Sequence, residues 1–82
     1  MTTTQETASE TIAEVFAEAL GLPAIDWETG FFDLGVDSAM VVRVTTELRA
    51  HWPGLRIVDV FSYSTVSSLA AHLTATQPQP AG

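Results

Sequence analysis

An aspartate and a serine stand side by side at Asp37 and Ser38, directly after a segment that contains Gly35. Both side chains carry oxygen atoms that accept hydrogen bonds from the unpaired amide groups at the start of a helix, so capping explains the pair without any chemistry. The serine also places a hydroxyl group at the end of a rigid element, where nearby amides favour an anionic substituent. Taken alone, the pair therefore predicts the start of a helix.

Catalysis by this serine is not supported by the rest of the chain. A serine hydrolase needs a general base and an orienting acid, and the chain has two histidines, His51 and His72. They fall near the end of the second predicted helix and within the last one, and we interpret both as surface or helix-end residues. No Gly-x-Ser-x-Gly elbow surrounds Ser38. We therefore predict no catalytic residues.

An acidic group precedes the serine, at Asp26, Glu28, Asp33 and Asp37. A calcium-binding loop needs oxygen ligands at regular spacing and a terminal glutamate, and this segment lacks both. The sequence therefore predicts no metal site.

Composition limits the size and the partners of the protein. Eighty-two residues allow one domain with one small core, and no cysteine is present. Ten acidic residues against three arginines give a net charge of −7, which opposes nucleic-acid binding. The negative charge either favours partners with basic docking surfaces or keeps a small domain soluble. No leader and no long apolar run is visible, so we predict a cytoplasmic protein without membrane contact. We also expect a monomer.

The chain divides into three parts by polarity. Residues 1–6 are polar and predicted to be a disordered N-terminus, and residues 77–82 contain two prolines and read as a flexible tail or linker. The folded domain is predicted to cover residues 7–76.

Capping residues and helix breakers set the predicted helix boundaries. A capping box at residues 7–10 begins the first helix, which ends before Gly21 and Pro23. The second helix begins at Asp37 and ends at Pro53. Between them, residues 22–36 show no sustained period but are too apolar for a free loop, so we expect them to pack onto the bundle.

The C-terminal part is predicted to hold a short helix near residues 57–61 and a last helix capped by Ser64 or Thr65. An antiparallel four-helix bundle of class all-α follows, with three longer helices and one short helix. The predicted core positions are Ile12, Val15, Phe16, Ala19, Leu20, Val41, Val44, Thr45, Leu48, Trp52, Val66, Leu69, Ala70 and Leu73.

The motif around Ser38 resembles the phosphopantetheine attachment site of acyl carrier proteins. In that family an aromatic residue, a Leu-Gly pair, one variable residue and then Asp-Ser precede the second helix. The matching residues here are Phe31, Leu34, Gly35, Asp37 and Ser38. The resemblance continues through residues 38–48 and returns in residues 60–73, which look like the third and fourth helices of polyketide-type carriers. In all it covers about residues 7–74.

This resemblance implies a carrier that catalyses nothing itself. A separate phosphopantetheinyl transferase would move 4′-phosphopantetheine from coenzyme A to Ser38, with Asp37 part of the recognised pair. The arm would hold acyl or polyketide intermediates as thioesters and present them to an acyltransferase, a ketosynthase or other biosynthetic enzymes, in polyketide or fatty-acid biosynthesis. The alternatives are a peptidyl carrier and an unmodified carrier-like docking module.

The helix after the serine carries the residues that the resemblance places at the partner interface. With Val41, Val44 and Leu48 inward, helical spacing puts a partly apolar set on other faces. This predicted docking face consists of Ala39, Met40, Val42, Arg43 and Thr46.

Several departures from the family pattern bear on the type of carrier. Ala39 follows the serine where the family usually has leucine, which removes part of a common partner contact. Arg43 and Arg49 accompany only Glu47 on the second helix, unlike the acidic helix of fatty-acid carriers. The motif also lacks the second glycine typical of peptidyl carriers. We therefore predict the polyketide type.

Overall fold

The first helix begins earlier than its capping pattern predicts. A computed structural model of the protein describes residues 4–76, and in it α1 spans Thr4–Leu20. The start predicted at the capping box is therefore wrong, because Gln5 and Glu6 are good helix formers that extend the helix by three residues. Thr7 lies inside α1, and its carbonyl accepts a hydrogen bond from Thr11 Oγ1 at 3.1 Å. The remaining terminal segments, residues 1–3 and 77–82, lie outside the described residues.

A glycine in the left-handed conformation ends α1, at Gly21 with φ 72°. The Gly21 amide donates to the Glu18 carbonyl at 3.2 Å, and the Leu22 amide donates to the Ala17 carbonyl at 2.9 Å. These two bonds form the Schellman motif that satisfies the last carbonyls of a helix. Glycine is favoured because it adopts positive φ without steric cost.

The segment between the first two long helices is held against the start of the last helix. The Phe31 amide donates to the Ser64 carbonyl at 2.7 Å, and the Ser67 amide donates to the Trp27 carbonyl at 3.1 Å. A single 3-10 turn, Phe31–Leu34, follows and buries Phe31 completely. The expected packing onto the bundle is thus confirmed for this residue, but Phe32 remains 43% exposed.

The second helix, α2, spans Ser38–Leu48 and has Asp37 as its N-cap, as predicted. All of the core positions predicted for it are buried, and Trp52 is buried as well. The predicted end at Pro53 is wrong, because the helix ends at Leu48 and the chain turns at residues 49–51. Arg49 Nε donates to the Leu55 carbonyl at 2.8 Å, which fixes this turn.

The last two helices are α3, Ile57–Ser62, and α4, Val66–Thr76. Thr65 provides the predicted cap of α4, because its Oγ1 accepts a hydrogen bond from the Ser68 amide at 3.1 Å. The inward stripe predicted for α4 is fully buried. Residues 4–76 therefore contain four helices and no strand, and the predicted all-α bundle is confirmed.

The core lies where α1 packs against α4 and α2, while α2 also contacts α3. Of the core positions predicted for α1, Ile12 and Phe16 are completely buried, whereas Val15, Ala19 and Leu20 are partly buried and pack against the core. No helix in residues 4–76 is long and apolar enough to cross a lipid bilayer. The largest completely buried side chains are Trp52, Phe16, Phe31, Ile12, Leu48, Leu55, Leu69 and Leu73.

Candidate functional site

Ser38 is the first residue of α2, and its side chain is exposed to solvent. In residues 4–76, no group forms a hydrogen bond with its hydroxyl. The hydroxyl is therefore not committed to holding the fold together. It projects from the end of a helix that is anchored in the core by Val41 and Val44, so its position is defined although its surroundings are open.

Asp37 performs the capping that the sequence offered to both residues of the pair. Its backbone is extended, with φ −115° and ψ 179°, and its Oδ1 accepts a hydrogen bond from the Met40 amide at 2.9 Å. Its carbonyl also accepts the Val41 amide at 2.9 Å. Because Asp37 satisfies the helix start, the Ser38 hydroxyl is left available.

The turn before the pair depends on Gly35, which has φ 99°. Its amide donates to the Phe32 carbonyl at 3.3 Å, and the Val36 amide donates to the Phe31 carbonyl at 3.2 Å. An added Cβ at Gly35 would meet no atom within 4 Å, so the requirement for glycine is conformational and not steric. Positive φ reverses the chain between the 3-10 turn and α2.

A shallow depression of about 260 Å³ lies beside the serine. It is lined by Asp37, Ala39, Met40 and Arg43. The arginine is exposed and forms an ion pair with Glu47, with 3.6 Å between Arg43 Nε and Glu47 Oε1. A cation, a helix N-terminus and a free hydroxyl together fit a phosphodiester attached to Ser38, and the depression has room for the start of a flexible arm.

The predicted docking face is formed by the outer side of α2. Ala39, Val42, Arg43 and Thr46 are exposed, with Val42 49% accessible. Met40 differs, because it is partly buried and packs against the core. It also lines the depression beside Ser38.

Sequence reasoning missed a further apolar surface outside α2. Phe32 of the 3-10 turn and Phe61 of α3 stack with ring centroids 5.4 Å apart, and both are nearly half exposed. Ile57 and Val58 of α3 are exposed too, because a six-residue helix can bury only part of its surface, here Asp59 and Val60. The consecutive phenylalanines at 31 and 32 were the available signal, since adjacent residues in a tight turn point in different directions.

The sequence also did not reveal how α3 is held. Asp59 is buried, and its Oδ2 accepts a hydrogen bond from the Arg56 amide at 3.0 Å. Its Oδ1 lies 3.6 Å from His72 Nε2 of α4 and 3.6 Å from Arg56 Nη2. This carboxylate therefore links α3 to α4.

The two histidines are engaged with partners other than Ser38. His51 is exposed in the turn after α2, with its ring centroid 5.7 Å from that of Trp52, as expected for a helix-end residue. For His72 the interpretation as a surface or helix-end residue was wrong. It lies in the middle of α4, is only 20% exposed, stacks on Tyr63 and faces Asp59. A buried acid on a neighbouring helix gives no local signal in the sequence.

The acidic residues before Ser38 do not converge. Within residues 4–76, no group of three or more His, Asp or Glu side chains is placed to hold a metal ion. Asp26 instead accepts a hydrogen bond from Thr29 Oγ1 at 2.7 Å, and Glu28 accepts one from Ser67 Oγ. These carboxylates stabilise the segment before α2 and its contact with α4.

A small helical bundle with an uncommitted serine at the start of its second helix defines a carrier-type scaffold. A profile of the family described as "phosphopantetheine attachment site" matches residues 10–73. The chain belongs to this family of carrier domains, whose cofactor is 4′-phosphopantetheine.

The chain is similar to short stretches of much longer proteins, among them nonribosomal peptide synthetases and a polyketide synthase. The chain is 31% identical over 70 residues to part of the plipastatin synthase of Bacillus subtilis, covering 85% of this chain and 3% of the relative. It is 34% identical over 68 residues to part of the phenolphthiocerol/phthiocerol polyketide synthase of Mycobacterium tuberculosis, covering 80% of this chain and 4% of the relative. The chain thus spans only a few percent of these proteins.

Solved structures show the same fold. BlmI, a type-II acyl-carrier protein from Streptomyces verticillus involved in bleomycin biosynthesis, matches with a TM-score of 0.83 and 25% identity over 88% of both chains. A nonribosomal peptidyl carrier domain matches with a TM-score of 0.71 and 34% identity, covering 78% of this chain and 83% of that one. Both kinds of carrier are thus similar to this chain, and its polyketide type stays a prediction.

Exchange of Asp37 separates its capping role from its charge. Asparagine caps helices as well as aspartate does, so we expect Asp37→Asn to keep the stability of the domain, while Asp37→Ala loses about 1 kcal/mol. If the carboxylate takes part in recognition by a phosphopantetheinyl transferase, both variants receive phosphopantetheine more slowly than the wild type. We call this transfer loading. Urea denaturation and initial loading rates measure the two effects. Wild-type loading by Asp37→Asn would restrict this residue to capping.

Proposed function

We propose that this domain carries acyl groups on a 4′-phosphopantetheine arm attached to Ser38. The observation that supports this best is the free, exposed hydroxyl at the first position of α2, next to a residue that already caps the helix. Membership of the family supports the cofactor, and the match between the family's Asp-Ser pair and Asp37-Ser38 supports the residue.

We assign loading to a separate transferase, because both histidines of the domain lie against other residues, His51 against Trp52 and His72 against Asp59. The serine oxygen forms a bond to the phosphorus that bears the pantetheine, and the pyrophosphate bond of coenzyme A breaks. The adenosine bisphosphate part leaves, and the serine proton passes to a base supplied by the transferase. When bound, the arm supplies the thiol that the cysteine-free chain lacks, and acyl groups are held on it as thioesters.

Attachment to an arm raises the effective concentration of the acyl group at each partner enzyme. Weak docking is then sufficient, and fast dissociation lets one carrier visit several enzymes in turn. We propose that the predicted docking face of α2, together with the stacked Phe32 and Phe61, contacts the transferase and acyl-processing enzymes such as an acyltransferase or ketosynthase. The domain acts as a monomer in the cytoplasm.

A charge on the predicted docking face tests this assignment. Val42→Asp is expected to raise the KM of loading about tenfold with little change in kcat, because an interface side chain is lost from binding and not from chemistry. Ala71→Asp on α4 adds the same charge to another exposed position and should leave the kinetics unchanged. An equal rise in KM for the two variants would mean that net charge, and not position, weakens binding. An unchanged KM for Val42→Asp would show that this position of α2 does not contact the transferase.

The chemical type of the cargo has two candidates. The departures around Ser38 favour a polyketide-type acyl group, as predicted above. The similarity to the nonribosomal peptidyl carrier domain favours an aminoacyl or peptidyl group. Both types use the same hydroxyl and the same thioester chemistry, so the site proposal holds for either.

Intact mass tests the central proposal directly. The purified protein is measured before and after incubation with coenzyme A, magnesium and a broad-specificity phosphopantetheinyl transferase. A gain of one phosphopantetheine, mapped to the peptide that contains Ser38, is the expected result. A folded, unmodified protein that gains no mass would instead favour the docking module without an arm.

A further inference from the structure

The net charge of the protein is confined to one part of the chain. Residues 1–33 contain seven acidic residues and no Lys, Arg or His, whereas residues 34–82 contain three acidic residues and three arginines. The whole charge of −7 therefore belongs to α1 and the segment that follows it. Solubility alone does not require such segregation, and a one-sided field attracts a partner of opposite charge to one surface.

A cleft lies within this acidic part, between α1 and residues 23–27. It has a volume of about 110 Å³. Its walls are apolar and are formed by Ala13, Ala17, Pro23, Ala24, Ile25 and Trp27. An apolar cavity of about 150 Å³ holds a benzene-sized group, so this cleft has room for one aliphatic side chain.

Carboxylates lie on the α1 side of the cleft. Glu14 lines it directly, and Glu10 and Glu18 lie one helical turn to either side on the same face of α1. All three are exposed, and no cation in residues 4–76 pairs with them. Asp26 and Glu28 precede and follow Trp27 in the chain without lining the cleft, and they accept hydrogen bonds from Thr29 and Ser67.

We propose that this cleft docks a partner protein through one aliphatic side chain flanked by Lys or Arg. The apolar walls accept the aliphatic group, and the unpaired carboxylates attract the flanking cations, which is the complementarity that sets orientation and speeds encounter. A second copy of this chain does not fit, because its own cleft region carries the same charge. The cleft shares no lining residue with the depression beside Ser38. A partner can therefore hold the domain here while the α2 surface stays available.

The test uses a defined peptide and a protein that cannot carry an arm. ¹⁵N-labelled Ser38→Ala protein is titrated with acetyl-Lys-Arg-Leu-Arg-Lys-amide and followed by NMR. We expect shifts at the amides of the cleft residues other than Pro23 and at the Trp27 indole, with weak affinity. Raising the salt from about 0.01 M to about 1 M shortens the Debye length from about 30 Å to about 3 Å and should remove most of the binding.

Matched peptides and variants test separately the aliphatic side chain in the cleft and the cations that flank it. A peptide with glycine in place of leucine should bind distinctly more weakly, and one with acidic flanks should not bind. Glu14→Gln should weaken binding about twofold to fivefold, while Glu47→Gln, the same change on α2, should not. Ala13→Leu, which fills the cleft with a helix-compatible side chain, should also weaken it.

Three results would overturn the proposal. Equal binding of the leucine and glycine peptides would show diffuse charge attraction without a side-chain site. Shifts confined to α2 and α3 would place the site elsewhere. Shifts of the cleft residues with protein concentration alone would assign the cleft to a second copy of the chain.

Discussion

Ser38→Ala is expected to abolish loading completely. Incubation with coenzyme A, magnesium and transferase should leave its mass unchanged, while the wild-type protein gains one phosphopantetheine. The variant lacks the oxygen that forms the phosphodiester, and the chain has no cysteine that could act in its place. The side chain is exposed and unbonded, so the free energy of unfolding should change by no more than about 0.5 kcal/mol.

A second serine provides the control for this experiment. Ser62, at the end of α3, is exposed as well, and Ser62→Ala should load like the wild type. Urea denaturation of all three proteins verifies that the fold is retained. A mass gain by Ser38→Ala would place the attachment point on another hydroxyl and would contradict the role given to the start of α2.

The start of α2 could be predicted because its signals are local. Asp37 is a strong capping residue, and Val41, Val44 and Leu48 repeat at helical spacing, so boundary and buried face follow from a few neighbouring residues. The same local signals were misleading at Thr7. A capping pattern there competes with a helix that simply continues through Gln5 and Glu6, and continuation adds hydrogen bonds that a new start would forgo.

What the sequence did not predict depends on contacts between distant residues. Asp59 and His72 meet only because α3 packs beside α4, and no spacing rule links positions thirteen residues apart on different helices. Likewise, the stack of Phe32 on Phe61 requires the 3-10 turn to lie next to α3. Both contacts involve α3, which packs against α2, so the surface that α3 presents is less predictable from the sequence than the attachment residue.

The cleft on α1 also combines a feature visible in the sequence with one that depends on contacts between distant residues. The absence of cations from residues 1–33 is visible in the sequence, but the acidic residues become a rim only when the segment folds back along α1. Hydrogen bonds that this segment forms with Ser64 and Ser67 hold it in that arrangement. The distribution of charge along the chain can therefore be predicted from the sequence, whereas the position of the cleft among these charges is known only from the structure.

The largest expected effect on stability comes from Phe16→Ala. Phe16 is completely buried and stacks on Phe31, with ring centroids 3.9 Å apart. Removing a buried phenylalanine ring costs about 3–5 kcal/mol through lost transfer energy and the cavity left behind. The free energy of unfolding of a domain is about 0.05–0.15 kcal/mol per residue, so this loss would be a large fraction of the total for so short a chain. Urea denaturation followed by circular dichroism measures it.

Phe32→Ala is the matched comparison, because Phe32 stacks on Phe61 with the same interplanar angle of 10° as the buried pair. Its ring is 43% exposed, so its removal leaves no closed cavity and should cost about 1 kcal/mol or less. We expect Phe32→Ala to remain folded and to bind partner enzymes more weakly. Phe16→Ala should reduce loading only in proportion to the fraction of the protein that is unfolded. Equal destabilisation by the two variants would mean that ring stacking, and not burial, holds the bundle together.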